Sequence, residues 1–443
     1  MRPSIAARVH GWLGRWRPIV PLFAAEFILW LGFGAILPVL PLYFTEHGVD
    51  LATLGLVVAA WPAARLVGEP VFGWLADRTS RKRLMVVGLV AAAVFTALPL
   101  FLTGPLAFFV LRGLTGLSTA IYDPAARGYL TDATPPQRRG EAFGFYAAAS
   151  MGGLIFGPAI GAIGAGLFGG IGFVFIFGAL SLLAASIAIA AALRDLPARA
   201  AAPRAGSAGT TEWNPESPIV AGRAIEEAMA APPSFPPPSA PRSLWNRALI
   251  AAVVLHFGLF FAVGTNDVVW SLYLRSRGAG LDLIGISLAV FGLPVFLVSP
   301  FAGRLVDRRG SAGPIVVGSI TSAAAAFVYP LVVNPILVLP VIIAEGAGTA
   351  FCDPALFSVV ARGSPPGRSS TAQGVFGAAG TVGFIVSSVV AGGLAATDLR
   401  YPFYVTAVTI LVTLAVALLI AGPEIRRPVP GVNIPASVPT GPT

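Results

Sequence analysis

The sequence predicts an all-α integral membrane protein, with twelve transmembrane helices arranged in two pseudo-symmetric six-helix bundles. Hydrophobic residues make up 56% of the chain, charged residues make up 11%, and the mean hydropathy is +0.81. This composition is typical of a membrane protein rather than of a soluble domain. In addition, apolar segments long enough to cross a bilayer recur along the chain. Finally, the segment that starts at Gly73 returns in a related form 230 positions later, at Gly303.

Each bundle contains six of the predicted spans, which follow from the need for about 20 apolar residues to cross a bilayer. The spans are 18–42, 52–74, 84–103, 105–127, 142–165 and 168–193, then 246–272, 283–305, 312–333, 335–358, 371–393 and 401–422. The remaining segments are a cytoplasmic N-terminal segment (1–17), a linker (194–245) and a cytoplasmic tail (423–443), around bundles at 18–193 and 246–422. The linker is rich in Ala, Pro and Arg, so it is predicted to be disordered.

The two bundles are related by an internal duplication with a constant offset of 230 residues. Without a gap, this offset pairs Tyr43 with Tyr273, Gly55 with Gly285, Pro70 with Pro300, Gly88 with Gly318, Pro105 with Pro335, and Asp123-Pro124 with Asp353-Pro354. Two parallel repeats around a midplane site suit alternating access, because one half can rock against the other about a bound solute. Transport is therefore the leading functional hypothesis.

The distribution of basic residues predicts the orientation. Of 29 Lys and Arg residues, 24 fall in the termini and in the loops assigned to the cytoplasmic side, where such residues are retained. Arg275, Arg277 and Arg400 lie outside, and Arg65 and Arg112 lie within spans. We therefore expect a multi-pass protein of the inner (plasma) membrane with both termini in the cytoplasm. The net charge of +9 reflects this topology and attraction to lipid headgroups, not nucleic-acid binding.

The loop after span 2 places an acid and several cations at the membrane edge, in the order Gly73, Asp77, Arg78 and Arg81. An acid can face a helix end while arginines reach acids or phosphates, so this pattern suits a conformational latch. The run resembles the signature Gly-x-Leu-Ala-Asp-Arg-x-Gly-Arg-Lys of the major facilitator superfamily, with Ser80 in place of the second Gly. The resemblance covers both halves and implies the major facilitator fold.

The same resemblance implies roles for further charged residues. Asp77, Arg81 and Asp123 match a charge relay that holds the outward-facing state in this family. The duplication supplies a second set at the equivalent positions, comprising Gly303, Asp307, Arg308 and Asp353.

Span 4 contains an intramembrane arginine, Arg112, followed by Gly116. This pair resembles a second family motif, which helps to couple protonation to movement. An arginine at bilayer depth costs at least about 2.5 kcal/mol, so it needs a partner or a water-filled cavity. The duplication places Ile342 at the equivalent position. We expect a functional role restricted to the first half, with a structural ion pair as the alternative.

Span 5 contains Gly153, Gly157, Pro158 and Gly161. This spacing resembles the signature Gly-x-x-x-Gly-Pro-x-x-Gly-Gly of the superfamily's drug:proton antiporters, with Ala162 replacing the last Gly. The resemblance implies secondary active export of small lipophilic or cationic compounds in exchange for protons. The alternative is generic helix packing, because small residues four apart allow helices to approach closely.

A proton-coupled exchanger needs a titratable group that both sides can reach. Among acids at membrane depth we rank Glu26 first and Glu345 second as proton-coupling candidates, followed by Asp267, with Arg112 as the basic candidate. Glu69 lies four residues after Arg65, so a local helical ion pair is the favoured interpretation there.

Two other titratable positions carry open alternatives. His256 is the repeat partner of Glu26 and is either a hydrogen-bonded packing residue, the favoured reading, or a proton carrier. Asp267 precedes Arg275 and Arg277 by two to three helical turns, so it is either a site acid or part of an outer gate pair.

Other functional classes are less compatible with the sequence. We predict no enzyme, metal or cofactor, because the three His residues form no metal-ligand or nucleophile-base pattern and no nucleotide-binding loop is present. The alternatives are a transporter of one metabolite (a sugar, amino acid or siderophore) and a non-transporting membrane sensor. The expected partners are a small-molecule substrate, protons and membrane lipids, and the chain is expected to be a monomer.

Overall fold

The computed structural model describes residues 16–135, 138–168, 170–195, 244–364 and 369–426. These residues are almost entirely helical, which confirms the predicted fold class. The helices are α1 (Val20–Ile36), α2 (Leu40–Glu46), α3 (Leu51–Ala76), α4 (Arg81–Ala97), α5 (Pro105–Ala133), α6 (Arg139–Leu167), α7 (Gly172–Ala192), α8 (Arg247–Ser276), α9 (Leu281–Arg309), α10 (Ala312–Val328), α11 (Val338–Gly363), α12 (Ser369–Ala395) and α13 (Tyr401–Arg426). The predictions for 1–15, for most of the linker (196–243) and for the tail (427–443) concern residues outside these ranges.

Within the described ranges, eleven segments are long and apolar enough to cross a membrane, and the bent pair α1–α2 supplies a twelfth. The first span differs from the prediction, because 18–42 is not one continuous helix. It breaks between Ile36 and Leu40, bends by 43° and continues to Glu46. Pro38 lies in the break, where its ring and its missing N–H disrupt the helical hydrogen-bond pattern.

The duplication is visible in equivalent hydrogen bonds at the outer ends of the two bundles, the ends opposite the chain termini. The hydroxyl of Tyr43 donates to the carbonyl oxygen of Pro99 at 2.9 Å. At the equivalent positions, the hydroxyl of Tyr273 donates to the carbonyl oxygen of Tyr329 at 2.8 Å. Each bond fixes the first span of its bundle to the 3₁₀ turn that ends the third span.

The packing of apolar side chains shows on which side the bundles meet. One buried cluster contains residues of both halves, including Tyr43 and Phe44 of α2, Trp270 and Tyr273 of α8 and Phe403 of α13. Two other clusters, nearer the termini, each contain residues of one bundle only. The halves are therefore packed together at the outer side and separated at the terminal side.

Two glycines of the duplication allow this close outer packing. A side chain at Gly55 of α3 would overlap the carbonyl oxygen of Ser388 in α12. A side chain at Gly285 of α9 would lie 2.6 Å from the carbonyl oxygen of Pro158 and 2.5 Å from the Cβ of Ala162 in α6. Because these positions are equivalent in the repeat, α3–α12 and α6–α9 form a pseudo-symmetric pair of contacts, here called the outer seal.

Candidate functional site

A cavity of about 220 Å³ lies between the two bundles, directly beneath the outer seal. We call it the central cavity. Its lining residues are Leu37, Pro38, Leu154 and Pro158 from the first bundle, and Val263, Asn266, Asp267, Trp270, Ser271, Ser287, Leu288, Phe291, Tyr329, Ile342 and Glu345 from the second. The first bundle contributes apolar side chains to this lining, whereas both carboxylates and all the hydrogen-bonding side chains come from the second bundle.

One face of α8 supplies a third of this lining. Val263, Asn266, Asp267, Trp270 and Ser271 follow one another at intervals of one or three residues, which places them on a single side of a helix with 3.6 residues per turn. The Oγ of Ser271 is buried without a hydrogen-bond partner among the described residues. This face therefore offers an acid, an amide and a free hydroxyl to a bound solute.

Glu345 is the second acid of the central cavity and projects from the first third of α11. Its carboxylate is buried, with only 6% of the residue exposed, and it accepts a hydrogen bond from the hydroxyl of Tyr329. The Tyr329 ring packs edge-to-face on Trp270, with centroids 4.8 Å apart, and the Nε1 of Trp270 donates to Ser287 Oγ at 2.9 Å. The carboxylate thus lies within an ordered aromatic and polar wall.

Arg112 of α5 is buried in the first bundle, and its charge interacts with that of Asp267 across the two halves. Its guanidinium carbon lies 5.8 Å from the centre of the Trp61 ring, within range of a cation–π interaction. Gly116, one turn later, is packed against the backbone of Trp61. Arg112 is therefore only partly compensated, because its Nε is buried without a hydrogen-bond partner among the described residues, and the Trp61 ring and the charge of Asp267 act on it from a distance.

Glu26, the first-ranked proton-coupling candidate, does not line the central cavity. It is only 2% exposed and accepts hydrogen bonds from Trp30 Nε1 at 2.8 Å, Tyr122 Oη at 2.8 Å and Ser150 Oγ at 2.7 Å. These donors lie on three spans of the first bundle, so the carboxylate joins α1, α5 and α6. Sequence depth alone did not indicate that Glu26 points into its own bundle.

His256, the repeat partner of Glu26, has the environment of a packing residue. Its Nδ1 lies 2.8 Å from the carbonyl oxygen of Phe376, and its ring stacks on that of Phe376 with centroids 3.7 Å apart. A side chain at Gly380 would collide with the imidazole ring. The favoured alternative, a hydrogen-bonded packing residue, agrees with this geometry.

Arg65 forms the predicted ion pair with Glu69, with an N–O distance of 2.6 Å. The structure adds a third member, because Arg65 also donates to the carboxylate of Asp123. Asp123 is thus bonded to Arg65, whereas the expected relay comprised Asp77, Arg81 and Asp123. Arg81 instead pairs with Asp77 at 3.2 Å and with Asp132.

The helix register explains why Asp123 is not in that relay. Asp123 lies nine residues before Asp132 on α5, about 13 Å deeper at 1.5 Å per residue, at the level of Arg65 in the neighbouring span. In the same loop, Arg78 stacks over Trp74, 3.9 Å from the ring centre, and Gly73 packs beside Pro124.

The repeated latch residues are only partly described. Gly303, Asp307 and Arg308 belong to α9, but their side chains lie outside the described part of the chain. Asp353 is on α11, eight residues beyond Glu345, and does not line the central cavity.

The antiporter-like motif of α6 has two faces. Side chains at Gly153, Gly157 and Gly161 would overlap the α1 backbone at successive four-residue intervals, namely at the carbonyls of Phe27, Leu31 and Ala35. The glycines therefore provide the close packing that the alternative reading predicted. Pro158, on another face, lines the central cavity and contacts Gly285 of the outer seal.

Sequence reasoning missed Asn266, Ser271, Ser287 and Tyr329 as cavity residues. The three on α8 and α9 have no distinctive spacing motif. Tyr329 could have been found from the duplication. Its equivalent in the first half is Pro99, so only the second half has a polar side chain at this position.

Two bundles of six spans, duplicated in sequence and packed around a central cavity, define a secondary transporter of the major facilitator type. The chain matches the Major Facilitator Superfamily over residues 22–272 and 252–440, and it belongs to this superfamily. It is thus a multi-pass membrane transporter of small molecules and not an enzyme.

Two relatives are similar over part of the chain. Quinolone resistance protein NorA of Staphylococcus aureus (strain MRSA252) is 32% identical over 148 residues, which are 33% of this chain and 37% of NorA. Multidrug resistance protein 2 of Bacillus subtilis (strain 168) is 33% identical over 165 residues, 37% of this chain and 41% of the relative. The match therefore spans about two fifths of the relatives' length.

Solved structures support the fold over nearly the whole chain. A bacterial homolog of the human lysosomal transporter Spinster, in an inward-facing and occupied conformation, superposes with a TM-score of 0.73 at 14% identity, covering 96% of this chain and 99% of that chain. The nucleoside transporter NupG (D323A mutant) gives 0.72 at 15% identity, covering 90% and 99%. At these identities the likeness concerns the fold alone.

Proposed function

We propose that this transporter exports small lipophilic or cationic compounds in exchange for protons by alternating access. The observation that carries the proposal is the chemistry of the central cavity, where Asp267 and Glu345 face an apolar wall of Leu37, Leu154 and Pro158. A compound with an apolar body and a cationic group can satisfy both surfaces. The partial similarity to drug-resistance proteins supports the same substrate class.

A cavity carboxylate would couple the two fluxes by competition. An unpaired charge inside the membrane is costly. The free energy of Glu345 is therefore lower when its carboxylate holds either a proton or a cationic substrate. Because one carboxylate cannot hold both, substrate binding on one side requires proton release there. Proton binding on the other side then displaces the substrate.

Among the candidate acids, we assign this exchange to Glu345, with Asp267 as the second acid. Glu345 has a neutral phenol as its polar partner, whereas the charge of Asp267 interacts with Arg112. Glu26, with three donors inside the first bundle, is proposed to hold α1, α5 and α6 together instead.

We propose that the conformation is inward-facing, in the plasma membrane, with both termini in the cytoplasm. The joint apolar cluster and the outer seal lie opposite the termini, and the basic loops lie on the terminal side. In this orientation, Gly73, Asp77, Arg78 and Arg81 form a cytoplasmic latch, with Gly303, Asp307, Arg308 and Asp353 as its second-half counterpart. Asp123 is paired with Arg65 about 13 Å deeper in the first bundle, so we do not include it in the latch.

The decisive experiment is efflux of a lipophilic cationic dye from proteoliposomes under an imposed pH gradient, comparing the native chain with Glu345→Gln. We expect gradient-driven efflux in the native protein and efflux at the level of empty liposomes in the variant. Asp267→Asn is the second test. Efflux that persists in Glu345→Gln but is lost in Asp267→Asn would assign the exchange to Asp267.

One observation favours a second candidate, a transporter of one defined polar metabolite. Asn266, Ser271 and Ser287 line the central cavity, and directional hydrogen bonds of this kind can discriminate closely related solutes. If no dye is transported under any gradient, a panel of sugars and amino acids in the same liposomes would test this candidate.

A further inference from the structure

The two halves make the same backbone contact at their outer ends but use different residues to make it. Tyr43 bonds to the carbonyl of Pro99, and Tyr273 bonds to the carbonyl of Tyr329. Proline offers only its carbonyl. Tyr329 offers a carbonyl and also a phenol, so the second half has a polar group at this turn that the first half lacks.

The additional phenol reaches the central cavity. Its hydroxyl donates to Glu345 Oε2, whereas Thr115, the repeat partner of Glu345, donates to the carbonyl of Leu111 within its own helix at 2.8 Å. The second half therefore has a hydrogen bond between a cavity acid and the outer turn. The equivalent residues of the first half, Pro99 and Thr115, do not form such a bond.

The position of the Tyr329 ring leaves it little freedom. The residue is 1% exposed and packs edge-to-face on Trp270 and Phe403, with centroid distances of 4.8 and 5.9 Å. Its carbonyl is held by Tyr273. All four aromatic residues belong to the apolar cluster that joins the two bundles at the outer side. Tyr329 thus bridges Glu345 and the closed outer end.

We propose that Tyr329 is a positioning residue that links the charge state of Glu345 to closure of the outer side. The inference rests on the proposed proton exchange at Glu345. A phenol donates more strongly to an ionised carboxylate than to a neutral carboxyl, so an ionised, empty Glu345 stabilises the closed outer side. A proton or a cationic substrate weakens the bond and releases the outer side to open. The empty transporter is thereby prevented from switching without cargo.

The other charged and titratable groups around Glu345 do not provide this link. Asp267 of α8 faces the same cavity but interacts with Arg112 of the opposite bundle. The α9 lining consists of Ser287, Leu288 and Phe291, which do not titrate near neutral pH. Among the described residues, Tyr329 is the hydrogen-bond donor to Glu345.

The test is Tyr329→Phe, which keeps the ring and removes the hydroxyl. Loss of a donor to the ionised carboxylate favours the protonated form, so the pH of half-maximal dye exchange should move upward by about one unit. Gradient-driven accumulation should fall about tenfold while downhill efflux without a gradient persists, because the empty transporter now switches. An unchanged pH profile with full coupling would overturn the proposal.

The duplication supplies a matched control, Tyr43→Phe. This variant removes the equivalent hydroxyl-to-carbonyl bond in the half where no cavity acid is attached, so it should lower thermal stability without moving the pH profile. If Tyr43→Phe moves the profile as far as Tyr329→Phe does, the effect belongs to general loosening of the outer ends and the proposal is wrong.

A transport-independent measurement separates this proposal from the proposed function. The melting temperature of the purified protein is followed against pH for the native chain, Tyr329→Phe and Glu345→Gln. Among the pH-dependent steps of the melting temperature, we expect one that is displaced in Tyr329→Phe and missing in Glu345→Gln. If this result is obtained but no dye is transported, the positioning role of Tyr329 is supported and the proposed drug export is wrong. If Tyr329→Phe does not fold, Tyr273→Phe takes its place, because it frees the Tyr329 backbone. This variant should displace the step in the same direction. If the step is not displaced, the proposal is wrong.

Discussion

The two bundles share a frame but differ in where they place their acids. The first bundle encloses Glu26 among three of its own donors, and it presents an apolar surface to the central cavity. The second bundle directs Asp267 and Glu345 into that cavity and packs His256 internally. Both halves have therefore kept the outer contacts that they need in order to close, whereas the polar groups of the cavity are concentrated in one half.

The largest expected effect comes from neutralising Glu345 in the cavity, in comparison with Glu26 inside the first bundle. Glu345→Gln should abolish gradient-driven transport and leave the fold intact. Glu26→Gln should instead destabilise the first bundle by about 1–3 kcal/mol, because an amide cannot satisfy all three donors, and folded Glu26→Gln should keep its coupling to the pH gradient. Dye flux and melting temperature measured on both variants check this. Loss of coupling in well-folded Glu26→Gln would remove the contrast between the halves.

The next effect concerns the outer seal, where the halves should behave alike. Gly55→Ala and Gly285→Ala each introduce an atom where the neighbouring helix backbone lies. Overpacking of this kind costs about 1–3 kcal/mol, which shifts a two-state ratio by about fivefold to more than a hundredfold toward the outward-open form.

Labelling can measure that shift. The single cysteine, Cys352, is buried and can be replaced by Ala, and Leu154→Cys then reports the central cavity. An impermeant maleimide added from the outer side should label both glycine variants faster than the parent. If one glycine variant responds and the other does not, the seal is not functionally symmetric.

A smaller effect is expected at the latch. Asp77→Asn removes one partner of Arg81 but leaves Asp132 in place. The Asp77 side chain is 73% exposed, and exposed ion pairs contribute about 0.2–1 kcal/mol. Switching should therefore slow by no more than about fivefold, with substrate affinity nearly unchanged in a binding assay. Asp307→Asn is the second-half control, and a large loss of affinity in either variant would contradict a latch role.

The smallest effect is expected at a helix cap that only one half possesses. Asp50 caps α3, and hydrogen bonds from the Thr53 hydroxyl (2.6 Å) and amide (2.9 Å) lower the pKa of its carboxyl from the ordinary 3.8. The equivalent cap of α9 is Gly280, which has no side chain. Because the pKa is lowered by folding, the contribution is present above pH 3.8 and disappears as the pH falls through the lowered value.

Melting curves of the native chain and Asp50→Ala can detect that contribution. The variant should melt slightly lower at pH 7, and the difference should vanish in acid. A difference that persists after the carboxyl has been protonated would show that the cap acts by something other than its charge.

Much of the architecture could be predicted from the sequence because it depends on local properties. Span length follows from hydropathy, and the duplication follows from a constant offset that pairs Tyr43 with Tyr273 and Gly55 with Gly285. The ion pair of Arg65 and Glu69 followed from helical spacing alone. The bend at Pro38 was missed because an apolar segment with prolines has the same hydropathy whether it is straight or bent.

Twelve spans, two equivalent bundles and a short list of acids at membrane depth could be predicted from the sequence, because each of these depends on composition or on spacing along the chain. The packing of the helices was needed to show that Glu345 and Asp267 share a cavity while Glu26 does not, and that Asp123 bonds to Arg65. The position of a residue along its span gives the depth of the side chain in the membrane, but it does not give the direction in which the side chain points around the helix axis. Which way a carboxylate points depends on how neighbouring helices pack, and that packing is set by contacts between residues far apart in the chain.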